Sequence, residues 1–215
     1  MNLEIFGPSL IALSIVVLLF SVIVHEVMHG LAALKFGDHT AQRAGRLTLN
    51  PIPHIDPVGT ILLPALLFIS GSPILFGWAK PVPVNPLNFS SLRKGELLVS
   101  AAGILSNLGL AIIAALLFHL LRGLSLPFIV LELLDFMINI NLLLAVFNLI
   151  PIPPLDGSKI LLSQLPYNLA REYQKLEQYG FILLLLLWFI PIGNSSLLGF
   201  ILLNGTSILK SLLGF

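Results

Sequence analysis

Hydrophobic positions in this chain gather into blocks rather than alternating, and the longest block comes first. From residue 6 to residue 36 apolar side chains run almost without interruption. As a helix at 1.5 Å per residue this stretch is roughly 45 Å long, more than the roughly 30 Å of a bilayer's hydrocarbon, so one end projects into the interface. Residues 1–6 carry no Lys or Arg, and the apolar run passes into His25 without a small-residue cleavage site. It therefore reads as a retained helix and not as a signal peptide. Four further helices are expected over 95–121, 127–150, 178–190 and 196–213.

The segments between them are patterned differently. Residues 37–57 mix charges with Pro and β-branched residues, and the run Arg43, Gly45, Arg46, Leu47, Thr48, Leu49 predicts a short strand or loop. Residues 58–76 are apolar but broken by Pro64, Gly71 and Pro73, the pattern of a segment that enters the membrane and turns back. Residues 77–94 hold too many prolines for one helix.

Composition fixes the solvent. Apolar residues make up 57% of the 215 and charged residues only 10%, against roughly 25% in a soluble domain. So few charges cannot clothe a water-facing globule. The expected fold is an all-α polytopic membrane protein with about five to six transmembrane helices and a small membrane-associated β or re-entrant region, a single domain over 1–215. There is no cysteine, hence no disulfide and no thiolate ligand or nucleophile, and a net charge of +1 without a long basic run gives no sign of a nucleic-acid partner.

Lys and Arg near membrane ends prefer the cytoplasm. With the N-terminus outside and 58–76 re-entrant, Lys35, Arg43, Arg46, Lys80, Arg93, Lys94, Lys159, Arg171, Lys175 and Lys210 share the cytoplasmic side and only Arg122 lies outside. This arrangement gives five spans plus a re-entrant hairpin.

The chemistry lies in the first helix, in His25, Glu26, Val27, Met28, His29. Residues four apart share a helix face, so both imidazoles reach one metal, and Glu26 stands beside them where an attacking water would sit. A charged residue central in a membrane helix costs roughly 2.5 to 3.5 kcal/mol on insertion scales, which structural packing alone rarely explains. Catalytic zinc takes three protein ligands and an open position. Among the four aspartates, Asp156 stands out in Asn148-Leu-Ile-Pro-Ile-Pro-Pro-Leu-Asp156-Gly157, where an apolar helix breaks just before a carboxylate. Capping of a short helix over 157–165 is the competing role for Asp156.

The pair HEVMHG at 25–30 and NLIPIPPLDG at 148–157 resembles the site-2 protease family of intramembrane zinc metalloproteases. GRLTLNPIPHIDPVGT at 45–60, FGWAKPVPVNP at 76–86 and SAAGILSN at 100–107 are similar to segments of its short prokaryotic members, which lack a PDZ or CBS domain. The resemblance implies one Zn2+ per chain bound by His25, His29 and Asp156, with Glu26 as catalytic base and Asn148 helping to position substrate or oxyanion. It implies hydrolysis of peptide bonds within or near a transmembrane segment of a membrane-protein substrate, in a multi-pass protein of a prokaryotic cell membrane whose site faces the cytoplasmic side, with any regulator acting in trans. An extended substrate would add to a strand edge at 41–56 or 80–85.

Two rivals are a metal or ion transporter and a catalytically inactive membrane scaffold. The first predicts polar residues at matching depth in several spans, and the second predicts loss of a ligand or of the base. His54 and Asp56 are candidates for a supporting layer around the metal. His39 and His119 read as interfacial or packed, Asn107 as an interhelical hydrogen-bonding residue, Glu132 and Asp135 as water-facing, and Trp78 and Trp188 as interface anchors.

Overall fold

A computed structural model describes residues 8–71 and 77–215. The expected helix start at residue 6 and residues 72–76 of the expected re-entrant segment lie outside them. Helix α1 (Pro8–Lys35), α4 (Leu92–Leu121) and α5 (Phe128–Leu149) are long and apolar enough to cross a membrane. They form one antiparallel bundle, α4 packing against both neighbours and α5 also touching α1. Small residues make the approach close: Ala111, Ala114 and Ala115 of α4 meet Ile138 and Leu142 of α5, all of them buried. In lipid, where no hydrophobic force drives helices together, such small-residue contact and dispersion hold a bundle.

After α1 the chain turns at Gly37 and forms α2 (Thr40–Arg43) and a series of bends. Of the short strand or loop expected over 43–49, the loop is what forms. Asn50 N–H donates to Thr48 Oγ1 and Ile52 N–H to Asn50 Oδ1, so side chains take the backbone groups that a ladder would use, and Pro51 and Pro53 offer no donor at all. Among the described residues the one strand pair is Pro191–Ile192 with Ser195–Ser196.

The chain leaves at Pro57 and by Trp78 lies back beside its start. A π-helical turn, Pro57–Leu62, runs into α3 (Leu63–Ile69); together these 13 residues reach roughly 20 Å, short of a bilayer. On return, Trp78 N–H donates to Gly59 O (3.1 Å) and Thr60 Oγ1 to Trp78 O (2.8 Å). Gly59 permits the closure, since a β-carbon there would lie 2.2 Å from the Trp78 ring. Residues 79–85 then run extended beside α1.

Beyond α5, α6 (Asp156–Gln164) and α7 (Tyr167–Gln174) lie at the end of the bundle where α1 finishes and α4 begins. Helix α8 (Gly180–Phe189) is only 10 residues, roughly 15 Å, and Pro191 and Gly193 turn the chain straight after it. It does not cross, so the final helix α9 (Leu197–Leu212) travels in the opposite sense to that expected. Its start packs on Ile150 and Leu155, and near its end Lys210 pairs with Asp135 at 2.9 Å while His119 donates to Leu213 O at 2.8 Å. The placement of Lys210 with Lys35 is therefore corrected: it shares the far end of the bundle with Arg122. Among the described residues three helices have spanning length, against the five to six spans expected, and α9, at 16 residues, is shorter.

Candidate metal centre

The HExxH stretch is helical throughout because α1 runs unbroken past it, and the four-residue spacing puts His25 and His29 on the face that meets α4 and α6. Their Nε2 atoms stand 2.9 Å apart. The α5–α6 connection turns back at Pro151–Pro154, and Gly157 allows the first turn of α6 to press against the end of α5, where a β-carbon would come 2.2 Å from Leu149 O. This delivers Asp156 Oδ2 to 3.1 Å from both His25 Nε2 and His29 Nε2. Asp156 is the first residue of α6, and the capping role is not what its carboxylate performs.

The protonation of each ring follows from its other nitrogen. His29 Nδ1 faces Val99 O at 2.7 Å, a group that only accepts, so His29 Nδ1 carries the proton. His25 Nδ1 faces Asn107 Oδ1 at 2.6 Å and is likewise a donor. With both Nδ1 atoms donating elsewhere, the two Nε2 atoms and Asp156 Oδ2 converge through electron-pair-bearing atoms, and buried Asp156 Oδ2 receives no well-formed hydrogen bond. Such a cluster calls for a cation at its centre. Tetrahedral zinc with N and O ligands sets those atoms roughly 3.3 Å apart, close to the 2.9–3.1 Å found.

The sequence reading did not assign a part to Gly103 of α4. A β-carbon there would fall 2.4 Å from His29 Cε1 and 2.6 Å from His25 Cε1, so the helix face opposite the imidazoles has to be bare. Glu26, one residue from His25, opens into a cavity of about 470 Å³ that also reaches His25, His29, Val82, Asn148 and Asp156. Its Oε2 accepts from Val82 N–H at 2.7 Å, which ties the extended 79–85 segment to the acid. Asn148 lines the same cavity with its amide donating to Leu144 O (3.0 Å).

The remaining candidates sit elsewhere. His54 is buried with Nε2 donating to Thr48 O (2.9 Å), and Asp56 caps the Pro57 turn through Val58 N–H and Gly59 N–H; neither touches the triad. His39 pairs with Gln42. Asn107 does bond between helices, but its neighbour Asn141 and Ser21 complete a buried chain that the sequence reading missed. In the loop after α1, Asp38 is fully buried: burial pushes its carboxyl up, yet bonds from Thr40, Asn85 and Asn88 win and bring it down to about 2.

Residues 123–188 match the family model described as peptidase family M50. YwhC of Bacillus subtilis strain 168, named as a candidate zinc metalloprotease, is 39% identical over 208 residues, covering 94% of this chain and 91% of that protein. Two proteins named Rip2, also as candidate zinc metalloproteases, are 30% identical (Mycolicibacterium smegmatis, 82% of this chain and 66% of the relative) and 32% identical (Mycobacterium tuberculosis H37Rv, 84% and 68%). No solved structure matches. With identity sustained over nearly the whole length of both chains, and with three groups that could hold a metal ion assembled in one place, this chain belongs to peptidase family M50, the family of the site-2 proteases.

Proposed function

We propose that this chain is an intramembrane zinc endopeptidase that cleaves peptide bonds within or near transmembrane segments of membrane-protein substrates. One observation carries the reading: two imidazoles from α1 and a carboxylate from α6, 127 to 131 residues apart in sequence, converge within 3.1 Å, with Glu26 beside them on an open cavity. His25, His29 and Asp156 would hold the ion. When bound there, zinc supplies a Lewis acid that polarises the scissile carbonyl and lowers the pKa of water toward about 7.

The chain's own groups do the rest. Glu26 accepts the proton of the attacking water and returns it to the leaving amine. Val82 N–H holds the Glu26 carboxylate in the cavity, and Asn148 keeps one amide hydrogen free of Leu144 O to meet the oxyanion or the substrate backbone. Because a helical peptide bond is shielded by its own turns, the substrate must unwind. The extended 80–85 segment is the edge along which an unwound strand pairs; the alternative edge at 41–56 is helix and turn. Apart from Arg122 and Lys210, the Lys and Arg residues belong to segments at the triad's end of the bundle, which supports a site near the cytoplasmic face of a multi-pass protein.

A transporter is not favoured, because the polar groups inside the bundle are closed on one another by hydrogen bonds and do not line a path. The scaffold reading fares no better, since ligands and base are all present. The test is direct: purify wild type and Glu26→Gln in detergent, measure zinc, and incubate each with single-span membrane proteins. Zinc in both with cleavage by wild type alone supports the reading; equal cleavage by both removes Glu26 as base.

A further inference from the structure

A line of buried amides crosses the bundle to the metal centre, and its hydrogen bonds have only one possible direction. Ser21 Oγ of α1 donates to Val17 O (2.8 Å). Asn141 of α5 sends its amide hydrogens to Ser21 Oγ (2.8 Å) and to Met137 O (2.9 Å). Met137 O can only accept, so the Asn141 amide nitrogen must face it and Asn141 Oδ1 must face α4. There it accepts from Asn107 Nδ2 at 2.9 Å. Asn107 is thereby oriented with Oδ1 toward His25 Nδ1, at 2.6 Å.

Ser21, Asn107 and Asn141 are each fully buried, so no water competes for these bonds. Three polar side chains in mid-bundle are costly unless each is satisfied, and the chain satisfies them in sequence.

We infer that Asn107 and Asn141 are positioning residues for the metal centre: from the carbonyl of Met137 they fix His25 as the Nδ1–H tautomer and so leave Nε2 bare for the ion. His29 receives the same instruction from Val99 O in one step, whereas His25 depends on a third helix. The packing of α5 against α1 and α4 thus sets metal affinity, although Asn141 touches neither ligand nor substrate. An Asn107 amide turned the other way would present NH2 to Nδ1, force the proton onto Nε2 and block the ligand position. Histidine ligands depend on the partner of their second nitrogen in this way, and loss of such a partner weakens metal binding by roughly 10- to 100-fold.

The inference rests on the proposed zinc site, and the test separates the two. Zinc affinity is measured by chelator competition in detergent at one pH for wild type, Asn107→Leu, Asn107→Asp and Asn141→Leu, and 15N spectra of histidine-labelled apoprotein report the His25 tautomer. Asn107→Leu is expected to weaken zinc by roughly 10- to 100-fold and Asn141→Leu by about tenfold, with His25 no longer held in the Nδ1–H form. Asn107→Asp still accepts from Nδ1–H, although it no longer donates to Asn141 Oδ1, and is expected to hold zinc more tightly than Asn107→Leu. Leucine variants that bind zinc like wild type, or an Asn107→Asp loss as large as that of Asn107→Leu, overturn the inference while leaving the protease reading intact. A wild-type protein that takes up no zinc overturns both.

Discussion

Gly103 of α4 sits against His29 of α1 so closely that a β-carbon on it would lie 2.4 Å from the ring's Cε1. Replacing glycine by alanine inside a helix ordinarily stabilises by roughly 0.5–1 kcal/mol. At this position the sign reverses, because the methyl group occupies the space of both imidazoles. Gly103→Ala should lose most of its zinc with every ligand still in the sequence. Gly109→Ala on the same helix, where nothing lies within 4 Å of the new carbon, should bind zinc as wild type does. Metal content of the two purified variants decides the matter.

The bond from Val82 N–H to Glu26 predicts a variant that keeps its metal and loses rate. Val82→Pro removes the donor while suiting an extended backbone already flanked by Pro81 and Pro83. A hydrogen bond to a charged group is worth roughly 1.5–3 kcal/mol, so kcat/KM should fall by about tenfold or more. Val82→Ala, which keeps the N–H, is the control. Unchanged cleavage by the proline variant would show that Glu26 needs no such support.

Asp38 clasps the 79–88 segment to the end of α1 by accepting from Asn85 N–H (2.7 Å) and Asn88 Nδ2 (2.8 Å) as well as from Thr40. Asp38→Ala removes the buried acceptor of these part-buried bonds and should destabilise the segment by about 2 kcal/mol, seen as faster protease nicking and amide exchange over 79–88. The pH dependence follows from a carboxyl lowered to about 2 from 3.8. A depressed carboxyl contributes its full stability above the unfolded value and loses it as pH falls through the folded one. Protection of Asn85 N–H should therefore persist from pH 7 to near pH 4 and fade between pH 4 and about 2.

Removing the metal should be visible without any substrate. A ligand bound only by the folded state stabilises it by RT ln(1 + [L]/Kd), about 2.7 kcal/mol at a hundredfold excess over Kd. Zinc should raise the Tm of wild type in detergent and a chelator should return it. Asp156→Ala should abolish the shift, as it takes away the ligand that ties α6 to α1. A full zinc-induced shift in that variant would place the ion elsewhere.

Some of this molecule was legible because short-range covalent geometry decides it. The turn of a helix is fixed, so the spacing of His25 and His29 is enough to put both on one face, and the length and apolarity of α1, α4 and α5 are enough to make them membrane helices. Proline and glycine likewise marked where the apolar run from 58 breaks off, with α3 ending at Ile69 and Gly71 at positive φ, and where the chain after 77 could not be one helix. Other features hang on partners distant along the chain. Whether Asp156 caps its own helix or meets α1 depends on how α5 and α6 pack at Gly157; the bareness of Gly103 has meaning only opposite two imidazoles; and the polarity of the Asn141–Asn107 line is set by a carbonyl two helices away from the ring it controls. The direction of α9 was misjudged because a 10-residue α8 is apolar enough to look like a span but too short to be one, and every crossing after a miscounted one inverts. Local pattern determines which segments leave water and which faces can carry ligands; packing alone determines which of those faces meet, because contact energies between remote helices have no counterpart in the order of residues along either one.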